Sequence, residues 1–306
     1  MIQKPTLLFL VAAFFSMKGL AQEEDLLKGI REEKPQKEYV TSAFKSSRVI
    51  MSHSMEMLRP GVLDFRILHR FGNINQGLSE FFGLDQATIR LGLDYGISNN
   101  LTIGIGRGTL KKEIDGFIKW RVIQQATGPG ASPVSLVGVA GTTIIGAPWP
   151  DPTRKNFFSS RLGYYGQAII GRKFSDNFTL QVMPTALHRN FVETNEDPND
   201  LYAAGVGGRL KLTKRVSLNV DYYYVINQND ARDLHNPLSV GFDIETGGHV
   251  FQLHFTNAVG MNEKAFLTET TNDWAEGDIQ FGFNISRSFQ IGKKKKAPEP
   301  PPTISQ

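Results

Sequence analysis

From Gly61 almost to the end of the chain, large apolar residues fall at every second position. The run Ile89–Gly108 shows it best. Ile89, Leu91, Leu93 and Tyr95 alternate with Arg90, Gly92, Asp94 and Gly96. After Ser98-Asn99-Asn100, Leu101, Ile103 and Ile105 resume against Thr102, Gly104 and Gly106. A period of two is that of a strand with one apolar face. The same signature marks Leu63/Phe65/Ile67, Ile118/Trp120/Val122, Phe178/Leu180/Val182, Val216–Tyr224, Leu238/Val240/Phe242/Ile244, Phe251/Phe255 and Ile279/Phe281/Phe283/Ile285. Residues 158–173 and 202–212 complete it, together with 133–146, which is apolar on both faces and is the least clear strand. The expected fold class is all-β: an antiparallel transmembrane β-barrel of about 12 strands (12–14) over residues 61–292.

The connections separate a membrane barrel from a soluble sandwich. They alternate between short turns (Ser98–Asn100, Ser175–Asn177, Thr213-Lys214, Thr246–Gly248) and long polar loops (72–85, 147–157, 190–200, 227–236, 257–277). Only the tight turn at Lys111-Lys112 and the intermediate stretch 126–132 strain the rule. Outer-membrane barrels carry short periplasmic turns and long extracellular loops. That direction puts Tyr95, Phe178 and Phe289 near the periplasmic rim and Tyr202, Tyr222 and Tyr224 near the outer one, as aromatic belts require. With 30 Gly, 21 Phe and only 40% hydrophobic residues, the composition suits a sheet in which one residue in two meets lipid.

If the Ile/Leu/Val/Phe/Tyr set faces lipid, its alternates face the lumen: Asp64, Arg66, Arg90, Asp94, Lys119, Arg121, Arg209, Lys211, Asn219, Asp221, Asp243, His254 and Asn284. Both signs are present, and buried charge requires partners or water. Two accounts follow. Either ion pairs close a narrow lumen, or the groups line a wet pore. Twelve strands lie between the filled eight-stranded barrel and the open channel of about 16 strands. The connection 72–85, with Leu78, Phe81, Phe82 and Leu84, is expected either to fold into the mouth as a lid or to pack on a neighbouring loop.

Flanking segments read differently. Lys4, the apolar run Leu7–Phe15 and Gly19-Leu20-Ala21 have the layout of a signal peptide over residues 1–21, sending the chain through the general secretory route. Residues 22–60 are expected to be an N-terminal periplasmic segment, a partial strand or a plug. Residues 293–306, KKKKAPEPPPTISQ, are expected to form a Lys/Pro-rich periplasmic tail that cannot add a strand. It is read as a solvated tail, with a periplasmic partner as the sharper alternative. The net charge of +4 owes much to Lys293–Lys296 and does not point to nucleic acid. With 0 Cys there is no disulfide framework or thiolate metal site.

Catalytic signatures are missing from the sequence. His53, His69, His188, His235, His249 and His254 form no HExxH pair, and no GxSxG elbow occurs. His53 and Ser54 are adjacent and would point to opposite faces of a strand. Gly104–Gly108 superficially suggests a nucleotide loop, but it lies within a strand with no helix behind it. No catalytic residue, metal or cofactor is assigned, and the chain is expected not to be an enzyme.

At PGVLDFRILHRFGNINQG and FFGLDQATIRLGLDYGISNNLTIGIGR the chain resembles the membrane-bound β-barrel domain family of Gram-negative outer membranes. Phe65-Arg66, His69–Gly72, Gly92–Gly96 and the turn into Leu101 carry the resemblance, which covers most of the chain after about residue 40. It implies a fold and a location in outer-membrane lipid. It implies no activity, because the family has none established. The expected function is a channel or passive transporter for small solutes. The alternatives are a closed barrel serving as an anchor or binding platform for a partner protein and, third, a barrel enzyme.

Overall fold

The computed structural model describes residues 36–149, 151–153, 155–192, 194–229 and 232–291. The expected signal segment 1–21, the charged stretch 22–35 and the tail 293–306 lie outside these residues. The chain divides into two units. The smaller holds residues 1–38 with 128–130, where Gly128 (φ 92°) and Gly130 (φ 64°) take left-handed conformations. The larger, residues 39–127 with 131–306, contains the barrel.

Twelve strands close into one antiparallel barrel. They are β1 (Val62–Asn73), β2 (Ala87–Ser98), β3 (Leu101–Gly108), β4 (Ile114–Ile123), β5 (Ser135–Ile144), β6 (Leu162–Lys173), β7 (Phe178–Arg189), β8 (Asp200–Lys211), β9 (Val216–Val225), β10 (Leu238–Thr246), β11 (His249–Thr256) and β12 (Gln280–Gln290). Each pairs with its neighbours in sequence, and β12 returns to β1 with Ile285 opposite Ile67. Closure satisfies every ladder and leaves no strand edge, which is what lets a sheet cross a bilayer.

Local chemistry explains the tight turns. Gly247 (φ 42°) and Gly248 (φ 145°) join β10 to β11 in two residues, a geometry that Cβ-bearing residues rarely adopt. The Thr213 hydroxyl accepts from the amides of Arg215 and Val216, and the Ser175 hydroxyl accepts from those of Asn177 and Phe178. These turns share one rim, the short-turn rim, and the long loops share the other. The tight connection 109–113 falls on the long-loop rim. The eleven-residue connection between β4 and β5 falls on the short-turn rim.

The outer face carries Leu91, Leu93, Ile103, Ile105, Trp120, Phe242, Leu253 and Phe255, all exposed on the isolated chain. Phe178, Phe289, Tyr202 and Tyr224 also point outward, near the rims. One third of the barrel inverts the simple pattern. On β5 to β8, bulky residues point inward (Val137, Val139, Ile169, Met183, Leu187, Leu201) and are buried. Their outward alternates include Gly138, Ala140, Gly166 and Ala186. The two-faced apolar character of 133–146 therefore has a cause: β5 meets lipid on one side and a packed interior on the other.

The interior is filled from both ends. Residues 42–57 turn into the barrel from the short-turn rim as a re-entrant plug. Its two limbs are tied by Val49 N to Ser52 O (2.9 Å) and Ser54 N to Ser47 O (3.0 Å). Val49, Met51, Ser52 and Ser54 of this stretch are fully buried inside the barrel. From the long-loop rim, residues 257–271 fold inward around a short helix, α1 (Glu263–Thr268), every residue of which is buried. Asn262 caps α1 by accepting from Ala265 N at 2.9 Å.

The connection 72–85 does not enter the mouth. Leu78, Phe81 and Phe82 are exposed, and Phe81 and Phe82 hold left-handed φ of 46° and 57°. It packs on a neighbouring loop, through Asn75 Nδ2 to Asp278 Oδ1 (2.6 Å) and Asn73 Nδ2 to Asn272 Oδ1 (3.1 Å). The second expectation for this loop holds and the first does not. The lid is the loop before β12.

Candidate functional site

The lumen has two chemically distinct walls. One, formed by inward residues of β4 to β9, joins the plug and lid in an apolar cluster. Phe44, Val49, Ile50, Met51 and Met55 of the plug pack there with Phe117, Val139, Ile169, Met183 and Tyr223 of the wall and Phe266 and Leu267 of the lid. The other wall is polar and charged. It runs from β9 through the β12–β1 seam to β4.

The lumen-facing set read from the alternation falls largely on that wall. Asp64, Arg66, Arg90, Asp94, Lys119, Asp221, Asp243 and His254 are buried inside the barrel, as are Asn219 and Asn284, and so is Arg209 on β8. Arg121 and Lys211 share the inward register but sit half-buried at the short-turn rim. There Arg121 donates to Asn99 O (2.5 Å) and Asn100 Oδ1 (3.2 Å).

Part of this set pairs within the wall. Arg66 lies 2.7 Å from Asp64 and 3.3 Å from Asp94. Arg90 grips Asp115 through two bonds, of 2.8 and 2.5 Å. Such forked pairs are the strong form of a buried ion pair. Four others, Asp221, Lys119, Arg209 and Asn284, hold the plug, chiefly by its backbone. Asp221 Oδ2 accepts from the amides of Met51 (2.9 Å) and Ser52 (2.8 Å), at the plug tip. Lys119 Nζ donates to Ser47 O (3.2 Å) and Glu56 O (2.5 Å). Arg209 Nη1 donates to Ala43 O at 2.9 Å, and Asn284 Nδ2 to Ile50 O at 3.1 Å. Asp243 is bonded by Gln252 Nε2 (2.9 Å), which also reaches Val49 O (2.6 Å).

Several participants were not signalled by charge. Gln181 accepts from Met55 N (2.9 Å) and donates to His53 O (2.8 Å). Gln181 and Gln252 sit at inward positions of their strands, so parity alone could have nominated them. Arg48, His53 and Glu263 gave no such signal, because neither the plug nor the lid alternates. Arg48 Nη1 donates to Glu263 Oε1 at 3.2 Å, and His53 Nε2 lies 3.5 Å from the same oxygen. Plug and lid therefore meet at one carboxylate in the middle of the barrel.

At its far end the lid is anchored to the turn between β3 and β4. Lys264 Nζ bonds Glu113 Oε1 at 2.5 Å and also pairs with Glu269. Asn262 Nδ2 bonds Glu113 Oε2 at 2.8 Å, and Lys111 reaches Glu269 at 3.1 Å. Burial works against the Lys264 ammonium, yet Glu269 and Glu113 hold its pKa above the ordinary lysine value.

His53 and Glu263 are the one His–acid contact inside the lumen among the described residues. Neither nearby serine turns its hydroxyl to His53. Ser52 Oγ donates to Asp221 and Ser54 Oγ to Ser46 O. No cluster of three or more metal-ligating side chains occurs among the described residues. Beneath the plug, a cavity of about 670 Å³ opens at the short-turn rim. Lys45, Arg59, Arg66, Arg121, Glu56 and Asp64 are among its lining.

Some polar atoms of the wall bond to nothing in the protein. Arg70 Nε and Nη2 and the hydroxyls of Thr102 and Ser217 are buried without protein partners. A buried polar group left bare costs about 1–3 kcal/mol, so these atoms call for water.

Solved structures similar to this chain include the NanC porin, at 8% identity and a TM-score of 0.47, covering 75% of this chain and 100% of that one. The KdgM porin aligns at 8% identity and a TM-score of 0.44, covering 74% and 99%. Omp33 of Acinetobacter baumannii aligns at 11% identity and a TM-score of 0.39, covering 74% and 97%. Among curated proteins nothing matches. The family model of a membrane-bound beta barrel domain matches residues 44–289, plug as well as strands, and the chain belongs to that family.

Proposed function

We propose that this protein is an outer-membrane channel for small solutes, shut at rest by its own N-terminal segment and by the loop before β12, and not an enzyme. The short-turn rim faces the periplasm and the long loops face outward, as barrels of this kind are arranged. The observation that carries the reading is the polar wall. Its side chains hold the plug through backbone groups and leave polar atoms of Arg70, Thr102 and Ser217 without protein partners, so the wall suits water and solute as well as the plug.

Spontaneous opening is rare on this account. Withdrawing Phe44, Val49, Ile50, Met51 and Met55 exposes about 1.5–3 kcal/mol of apolar side chain each, roughly 10 kcal/mol together. At about 1.4 kcal/mol per tenfold, that leaves roughly one molecule in ten million unplugged. Opening then requires an input, such as a pull from the periplasmic side.

The apolar cluster favours one second reading, a permanently closed barrel that anchors or presents a partner-binding surface. Planar-bilayer conductance separates the two. The refolded chain from Gln22 onward is expected to be nearly silent, and a chain lacking residues 22–60 and with lid residues 257–271 replaced by a short Gly/Ser linker is expected to show steady openings. Silence from the truncated chain, with its barrel shown to be folded by heat-dependent gel mobility, refutes the channel and leaves the closed platform.

A further inference from the structure

Arg66 and Arg90 of the polar wall each pair with an aspartate, and Lys119 holds carbonyls of the plug. Arg70 does neither. It points inward from β1 and is 0% exposed. Among the described residues no carboxylate lies within ion-pair distance of it. Its hydrogen bonds go to neutral acceptors: Nη1 donates to His69 O (2.9 Å) and to Asn284 Oδ1 (3.0 Å). Nε and Nη2 are buried without protein partners.

The bare pair has a definite shape. Nε and Nη2 share one edge of the guanidinium, and their N–H bonds form the fork that fits the two oxygens of a carboxylate. Arg90, on β2, uses the same two atoms. Its Nε donates to Asp115 Oδ1 (2.8 Å) and its Nη2 to Asp115 Oδ2 (2.5 Å). Arg70 is oriented in advance, because Nη1 is tied down and Gly282 stands opposite it across the ladder. A Cβ on Gly282 would lie 2.9 Å from Arg70 Cδ, so a larger residue there would displace the side chain. On the other flank Arg70 pairs with Thr88, whose hydroxyl is also bare. Water can meet these donors, but it brings no charge, and a buried guanidinium without a counter-charge is costly. A small anion supplies both the acceptors and the charge.

We propose that Arg70 is a binding site for a small planar oxyanion, of the formate or bicarbonate type, within the resting barrel. Its two oxygens accept from Nε and Nη2 as Asp115 accepts from Arg90. The site stands whether or not the barrel conducts, since β12, β1 and β2 form it and neither plug nor lid supplies a group to it.

Equilibrium dialysis of radiolabelled formate against the full chain in lipid nanodiscs, in a chloride-free HEPES bath, tests it. Saturable binding to one site in the millimolar range or tighter is expected. Uncharged formamide is expected not to displace formate, and chloride, which lacks the paired oxygens, to compete about tenfold more weakly or less. Arg70→Met is expected to abolish binding. Arg70→Lys keeps the charge but loses the fork, and is expected to weaken binding by about tenfold or more. Heat-dependent gel mobility checks that each variant retains the barrel, and Gly282→Val, which displaces the guanidinium, replaces one that does not. Non-saturable uptake, displacement by formamide, chloride equal to formate, or affinity unchanged in the folded variants overturns the proposal.

Discussion

Arg48 and Glu263 stand 215 residues apart in the chain and meet at 3.2 Å in the centre of the barrel, each with a side chain only 1% exposed. One belongs to the plug and the other to the lid, so the pair joins two segments that enter from opposite ends. Removing one partner of a buried pair costs about 3–5 kcal/mol, because the other charge is left bare. Glu263→Ala is therefore expected to loosen both segments, with lower thermal stability and more frequent brief conductance events than the parent chain. Arg48→Met with Glu263→Leu is expected to recover most of that loss, since an apolar pair of similar volume replaces the ions. A double variant as unstable as Glu263→Ala would show that the pair is not the joint.

Asp221 is the other fixed point of the plug. Its carboxylate accepts from three amides at the plug tip, those of Ile50, Met51 and Ser52, and from the Ser52 hydroxyl. Asp221→Ala removes these acceptors from buried donors, at about 1–3 kcal/mol for each group left unsatisfied. Hydrogen exchange at Met51 and Ser52 is expected to quicken by more than tenfold while the barrel strands keep their protection. Unchanged exchange at the tip would refute the assignment.

Gly207 tests the fit of plug to wall. A Cβ there would lie 3.1 Å from Val49 Cγ2 and 3.1 Å from Gln181 Cγ. Gly207→Val overfills the space by more than a methyl group, and such overpacking costs about 1–3 kcal/mol. The barrel is hydrogen-bonded all round and the plug is not, so the plug is the part expected to yield. Protease cleavage within residues 42–57 should rise while the barrel remains resistant.

Lid docking is expected to depend on pH at both extremes. Burial works to raise the Glu269 carboxyl, but Lys264 and Lys111 hold it below the ordinary glutamate value of 4.5. Its contribution is present above that value and is lost as pH falls through the lowered pKa. Lys264 is held above 10.5, so its contribution is full below that pH and fades as pH rises through the raised pKa. Hydrogen exchange of α1 should be slowest between these limits and quicken on either side. A flat profile would show that the pairs do not hold the lid.

Much of the barrel was legible because the membrane imposes period two on every strand. Leu91, Leu93 and Ile103 could face nothing but lipid once Arg90, Asp94 and Thr102 were their alternates. The plug was less legible, because its contacts use backbone amides and carbonyls that any sequence supplies. Asp221 was identifiable as inward, but not the amides of Met51 and Ser52 that it binds. Of the two readings open for 72–85, a lid and packing on a neighbouring loop, the sequence could not choose for a related reason. Leu78, Phe81 and Phe82 look like a buried cluster, yet left-handed backbone at both phenylalanines turns them outward. Ala265, Phe266 and Leu267, behind the capping Asn262, were the true inward group. The strand at 133–146 did hold a readable trace of the filled interior. A strand apolar on both faces in a membrane barrel needs something dry inside, and Val137 and Val139 supply that meeting point.

The plug leads directly into β1, and β1 completes the ring with β12. Its anchors are spread over the whole sequence, from Lys119 through Arg209 and Asp221 to Asn284. The first described part of the chain to emerge during synthesis thus has no complete place to settle until the last strand has been laid down. Contacts this distant in sequence form slowly. Assembly should pass through a stage in which a closed or nearly closed ring still trails an undocked leader, and the leader's entry should be among the last events on the way to the native state.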